Sequence, residues 1–125
     1  MPTTLIVDDD EDMRTLVRSI IIAANEGLQV GGEAADGHEG LSRWRDLQPD
    51  VIVLDQRMPG LSGLEVAAHI FAERPDQRII LFSAYLDADI RARAADLGIA
   101  TCVAKTDVFE LPATIHRVHG RDRPS

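Results

Sequence analysis

The sequence predicts an α/β domain: a doubly wound, five-stranded parallel sheet of order 2-1-3-4-5 with helices on both faces. Three observations carry this expectation. Short β-branched runs alternate with helical patterns along the chain, the mark of βαβ units with right-handed crossovers. The runs Val51-Ile52-Val53-Leu54 and Ile79-Ile80-Leu81-Phe82 are apolar without alternation, which suits strands covered on both faces. A chain of 125 residues has room for one such domain and no second of useful size.

The elements follow in order. Leu5-Ile6-Val7 is the first strand. Met13, Leu16, Val17, Ile20 and Ile21 then keep the i, i+3, i+4, i+7, i+8 spacing of a helix with one apolar face. Leu28 to Val30 reads as strand 2, and Leu41, Trp44 and Leu47 mark helix 2. After strand 3 (Val51–Leu54), Ser62 and Glu65 form a capping box that opens helix 3. Leu64, Ala67, Ala68 and Phe71 line that helix, and Pro75 ends it. Strand 4 leads into Ser83, and helix 4 carries Ile90, Ala94 and Leu97 with Gly98 as its C-cap. Ile99 to Val103 is strand 5. Leu111, Ile115 and Val118 mark helix 5, which must start near Glu110 so that Pro112 falls in its first turn. The domain occupies residues 1–119, and 120–125 read as a polar tail.

Composition narrows the function. An apolar share of 45% with 27% charged residues is globular. Thirteen Lys and Arg against 21 Asp and Glu give a net charge of −8, which argues against non-specific nucleic-acid binding. The single cysteine, Cys102, excludes an internal disulfide and points to a reducing compartment. No apolar run approaches the ~18 residues of a membrane span, and Met1-Pro2-Thr3-Thr4 lacks the basic start of a signal peptide. A cytoplasmic protein is expected.

In a doubly wound sheet of this order, the site lies beyond the carboxyl ends of the strands, where strands 1 and 3 diverge. Strand 1 runs into Asp8-Asp9-Asp10-Glu11-Asp12, strand 3 into Asp55, strand 4 into Ser83 and strand 5 into Lys105. Carboxylates brought together there repel unless a cation lies between them. Hard oxygen ligands with open positions suit Mg²⁺, and a nearby lysine and hydroxyl suit phosphoryl oxygens. The set points to phosphoryl transfer onto a carboxylate. Asp10, Glu11 and Asp12 are expected in the first turn of helix 1, where the dipole favours acids. An EF-hand loop is excluded because Met13 and Ser19 stand where its Gly and Glu belong. No glycine-rich phosphate loop, zinc-protease motif or nucleophile elbow is present. His116 and His119 read as solvated surface, Cys102 as a small core residue and Trp44 as core.

These residues together, Leu5-Ile6-Val7-Asp8-Asp9-Asp10, Asp50 to Asp55 with Met58-Pro59-Gly60 and Gly63-Leu64-Glu65, then Ser83-Ala84 and Lys105, resemble the CheY-like receiver domain of two-component response regulators. The resemblance covers about Thr3 to Val118 and implies the flavodoxin-like (βα)5 fold. It implies that Asp55 is the phosphoacceptor, charged by a histidine kinase or phosphotransfer protein. Mg²⁺ would be organised by Asp8, Asp9, Asp55 and the backbone carbonyl of Arg57. Ser83, Ala84 and Lys105 would bind the phosphoryl group. The output would be a change of partner, through a downstream effector or an output domain outside this chain, with no direct nucleic-acid or membrane contact. A phosphorylation-dependent homodimer through the face of helix 4, strand 5 and helix 5 is a further expectation. The domain would be a switch, not an enzyme, although it assists its own phosphorylation and dephosphorylation.

The chain departs from the family pattern in three respects. Thr106 follows the lysine where proline is usual, so the Lys105–Thr106 bond is predicted to be trans. Gln56 and Arg57 follow the acceptor where smaller or acidic residues are common. Cys102 replaces the aromatic residue three before the lysine, and its one-carbon thiol has too little bulk to couple two sites by rotating. The switch is therefore expected to run from Ser83 through Tyr85, the nearest large side chain, to the start of helix 4. The competing reading is a phosphatase of the haloacid-dehalogenase type, which also uses an aspartate nucleophile with Mg²⁺. Its D-x-D-x-[TV] motif would need Thr or Val at position 12, where Asp12 stands.

Overall fold

A computed structural model of the chain describes residues 2–24 and 26–120. Five strands and five α-helices alternate: β1 (Thr3–Val7), α1 (Glu11–Ala24), β2 (Gln29–Ala34), α2 (Gly37–Leu47), β3 (Val51–Leu54), α3 (Gly63–Glu73), β4 (Arg78–Ser83), α4 (Ala88–Leu97), β5 (Thr101–Ala104) and α5 (Leu111–Gly120). All strands pair in parallel in the order β2-β1-β3-β4-β5, as expected. Among the described residues no helix is long and apolar enough to cross a membrane.

Alternation of side chains along the strands splits the core in two. Leu5, Val7, Ile52, Leu54, Ile79 and Leu81 face α2, α3 and α4, where they meet Leu41, Trp44, Val66, Ile70 and Ala94. Ile6, Val51, Val53, Ile80 and Phe82 face α1 and α5, packing on Val17, Ile21, Leu111, Ile115 and Val118. The two covered faces explain why β3 and β4 read as unbroken apolar runs. Trp44 is core, as expected, and its indole N–H donates to the buried Gln77 side chain at 3.0 Å.

Five boundaries differ from the sequence reading. β2 runs to Ala34, well past Val30, through Gly31-Gly32-Glu33. It is an edge strand paired only with β1, and its register shifts between Thr4 and Leu5, so backbone pairing holds residues of poor strand propensity in place. β5 begins at Thr101 because Ile99 still belongs to the α4 C-cap: Gly98 adopts φ 105° and the Ile99 N–H donates to Ala94 O. Lys105 opens a short 3₁₀ helix (Lys105–Glu110) that leads into α5. Asp10 lies just before α1 as its cap, its side chain accepting the Asp12 and Met13 N–H groups at 3.0 and 3.4 Å, while Glu11 and Asp12 fill the first turn. The Ser62–Glu65 capping box is present, and Pro112 sits in the first turn of α5. Gly120 closes α5 instead of starting a tail, and residues 121–125 lie outside the described residues.

Candidate functional site

The site follows from strand register. Val7 pairs with Leu54, so β1 and β3 end in step and Asp8 and Asp55 emerge side by side. The Asp55 N–H donates to Val7 O at 2.9 Å and the Asp8 N–H to Ala34 O at 3.0 Å, which fixes both backbones to the sheet edge. Leu54 pairs with Leu81, so Ser83 stands two residues further out, and its partner Ala104 delivers Lys105 to the same edge. Gly63 allows the β3–α3 loop to close over this edge, because a Cβ there would overlap the Asp55 carbonyl oxygen and the Gln56 Cα. The Gln56 side chain accepts the Leu64 N–H at 2.8 Å and so helps cap α3.

Oxygens of Asp8, Asp9 and Asp55 lie within 4.8 Å of one another. Asp8 and Asp55 are buried and Asp9 is exposed, so the cluster is open to solvent on one side. Lys105 Nζ faces Asp8 Oδ2 at 2.9 Å and Asp55 Oδ2 at 3.4 Å. Burial, together with the Asp8 charge, pushes the Asp55 carboxyl up to about 6, although Lys105 and the Arg57 N–H pull the other way. Burial of Lys105 works against its charge, but the hydrogen bond to Asp8 and the two carboxylates outweigh it and hold the ammonium above its ordinary value. One ammonium thus serves two carboxylates, with a third beside them.

The donor set fits a hard divalent cation. It consists of carboxylate oxygens, two of the three groups buried and the third open to solvent, where a cation could keep water ligands. At the mouth, Ser83 is buried and its Oγ accepts the Tyr85 N–H at 3.4 Å. Tyr85 is 61% exposed, with the Arg57 guanidinium 4.4 Å over its ring. Cys102 is partly buried against the α2–α3–α4 core, and burial raises its thiol, which disfavours the reactive thiolate. Among the described residues no peptide bond is cis, so Lys105–Thr106 is trans. His116 stands 3.5 Å from Glu26 on the α5 surface, away from the site. Asp10 is spent on the α1 cap and does not join the cluster.

Comparison with known proteins decides the family. The model of the response regulator receiver domain matches residues 4–116. The chain belongs to the response regulator receiver domain family. It is 33% identical over 124 residues to the response regulator GacA of Pseudomonas aeruginosa, an alignment spanning 98% of this chain and 58% of GacA. Against the chemotaxis protein CheY of Thermotoga maritima it is 38% identical over 80 residues, 64% of this chain and 65% of CheY. The crystal structure of the response regulator domain of Thermotoga maritima CheB superposes with a TM-score of 0.88 at 28% identity, covering 98% of this receiver and 99% of that chain. The receiver spans about half the length of the GacA relatives it matches. Relatives also include the protein-glutamate methylesterase/protein-glutamine glutaminase of Halobacterium salinarum, 37% identical over 134 residues, of which this chain covers 38%.

Sequence reasoning passed over two residues beside the site. Arg14 of α1 donates from Nη1 to the Asp8 carbonyl at 2.7 Å, and its Nε bonds Glu33 of β2 at 3.2 Å. A basic residue on the first helix just after an acidic run, with a lone acid in the neighbouring strand, was the available signal.

Proposed function

We propose that this receiver is a phospho-switch in which Asp55 accepts a phosphoryl group, with Mg²⁺ held by Asp8, Asp9, Asp55 and the Arg57 carbonyl. The observation that supports this reading best is the convergence of three carboxylates within 4.8 Å beside a single ammonium. In the reaction, an Asp55 carboxylate oxygen bonds to phosphorus as the P–N bond of a phosphohistidine breaks, and the departing imidazole keeps the electron pair and takes a proton. Mg²⁺ bound at the cluster supplies positive charge against the phosphoryl oxygens. Lys105 is freed from part of its pairing with Asp55 and turns to the new phosphoryl charge, while Asp8 holds it at the edge. In this reading Ser83 turns from Tyr85, and its hydroxyl and the Ala84 N–H donate to the phosphoryl oxygens.

That turn is the proposed start of the signal. The Ser83–Tyr85 contact and the Arg57–Tyr85 stack tie the acceptor loop to the segment before α4, so movement at Ser83 passes to Tyr85 and α4, with Cys102 as bystander. The output is altered binding at the α4–β5–α5 face, to an effector, an output domain or a second copy, in the cytoplasm. The donor is a histidine kinase or phosphotransfer protein, and no step calls for nucleic acid or membrane. The phosphatase alternative is not favoured, because its second acid would be Asp10, whose carboxylate caps α1. Incubation with acetyl phosphate and Mg²⁺ tests the reading: one adduct of about 80 Da, the mass of a phosphoryl group, is expected on the wild type. Its persistence in Asp55→Asn or in excess chelator overturns the assignment.

A further inference from the structure

We propose that Arg14 is a positioning residue for the divalent-cation site: it holds the Asp8 carbonyl and thereby fixes where the Asp9 carboxylate stands. The inference rests on the reading of Asp8, Asp9 and Asp55 as that site. Asp9 is exposed, and among the described residues its carboxylate makes no hydrogen bond or ion pair, so the backbone alone sets its place. The peptides on both sides of Asp9 are secured to the fold. The Asp8 N–H is tied to β2, the Asp8 side chain accepts the Asp10 N–H at 2.9 Å, and the Asp8 carbonyl is taken by Arg14 Nη1 at 2.7 Å. Arg14 is itself immobilised. Only 15% of its side chain is exposed, and Glu33 holds its Nε at 3.2 Å. The other Glu33 oxygen takes the Arg18 Nε at 2.8 Å, so the carboxylate is braced from two turns of α1. The chain of contacts runs from β2 through Glu33 and Arg14 to the peptide that carries Asp9.

Charge and positioning predict opposite signs, which makes the inference testable. A guanidinium near the cluster repels a dication, so losing its charge alone would tighten Mg²⁺ binding. Losing the bond that orients a ligand loosens it, by about tenfold for groups that orient metal ligands. Arg18 is the charge control: it shares Glu33 with Arg14 and does not touch Asp8. Mg²⁺ alone is titrated into the full chain at fixed ionic strength, with affinity read from amide NMR shifts and folding checked by circular dichroism and the metal-free melting temperature. Arg14→Met is expected to weaken Mg²⁺ about tenfold, while Arg18→Met leaves it unchanged or slightly tighter. Arg14→Lys keeps a cation and a donor for the carbonyl and should fall between wild type and Arg14→Met. It also carries the test if Arg14→Met does not fold. Equal effects of Arg14→Met and Arg18→Met, tighter binding in Arg14→Met, or wild-type affinity in every Arg14 variant overturns the role of Arg14. Failure of the wild type to bind Mg²⁺ overturns the metal reading, and this inference with it.

Discussion

Asp55→Asn isolates the cost of keeping a carboxylate in the pocket. Asp55 is only 4% exposed, and burial with the neighbouring Asp8 charge raises it from 3.8 to about 6. The sign follows from proton counting. Between those two values the folded protein holds a proton at Asp55 that the unfolded chain has released, so stability falls as pH rises. At 1.36 kcal/mol per pH unit the whole interval amounts to about 3 kcal/mol. Asn carries no such proton. The variant should therefore gain on the wild type by about 3 kcal/mol between pH 4 and pH 7 and hold that lead above it. For a domain of this size that corresponds to roughly 10 °C in melting temperature. Thermal and urea unfolding of both proteins, with chelator present, measures the gap at each pH. Adding Mg²⁺ at pH 7.5 should then recover much of the deficit in the wild type and less in the variant. Parallel stability curves, with a gap that changes by less than about 1 kcal/mol from pH 4 to 8, would refute the reasoning, because Asp55 would then titrate alike in both states.

Other outcomes are expected elsewhere. Gln77→Leu leaves the Trp44 indole N–H without its acceptor and removes an amide that donates to the Pro49, Asp50 and Arg78 carbonyls at 3.2–3.3 Å. Urea unfolding should show a loss of about 1–3 kcal/mol, and a loss under about 0.5 kcal/mol would deny the network its role. Gly63→Ala forces the β3–α3 loop off the Asp55 carbonyl, costing about 1–3 kcal/mol and slowing acetyl phosphate labelling; unchanged stability and rate would contradict the close approach. Beryllofluoride-induced NMR shifts reaching α4 should survive Cys102→Ala and shrink in Tyr85→Ala, and the reverse ranking would defeat the proposed route through Tyr85.

The amino-acid sequence by itself determined the element order, the parallel sheet and the edge on which Asp8, Asp9, Asp55, Ser83 and Lys105 stand. Those features rest on local signals: two unbroken apolar strands, helical spacing, a capping box, and acids placed where apolar runs stop. Tertiary structure alone decided three matters. The reach of β2 through Gly31-Gly32-Glu33 depends on pairing with β1, since those residues have little strand preference of their own. The pairing of one lysine with two carboxylates, and the rise of Asp55 that goes with burial, depend on the register of strands far apart in the chain. The clasp of Arg14 on the Asp8 carbonyl joins α1, β1 and β2 at a distance set by packing. Periodicity and turn chemistry are properties of neighbouring residues and can be read along a chain. Charge pairing and desolvation arise between residues that only the folded sheet brings together.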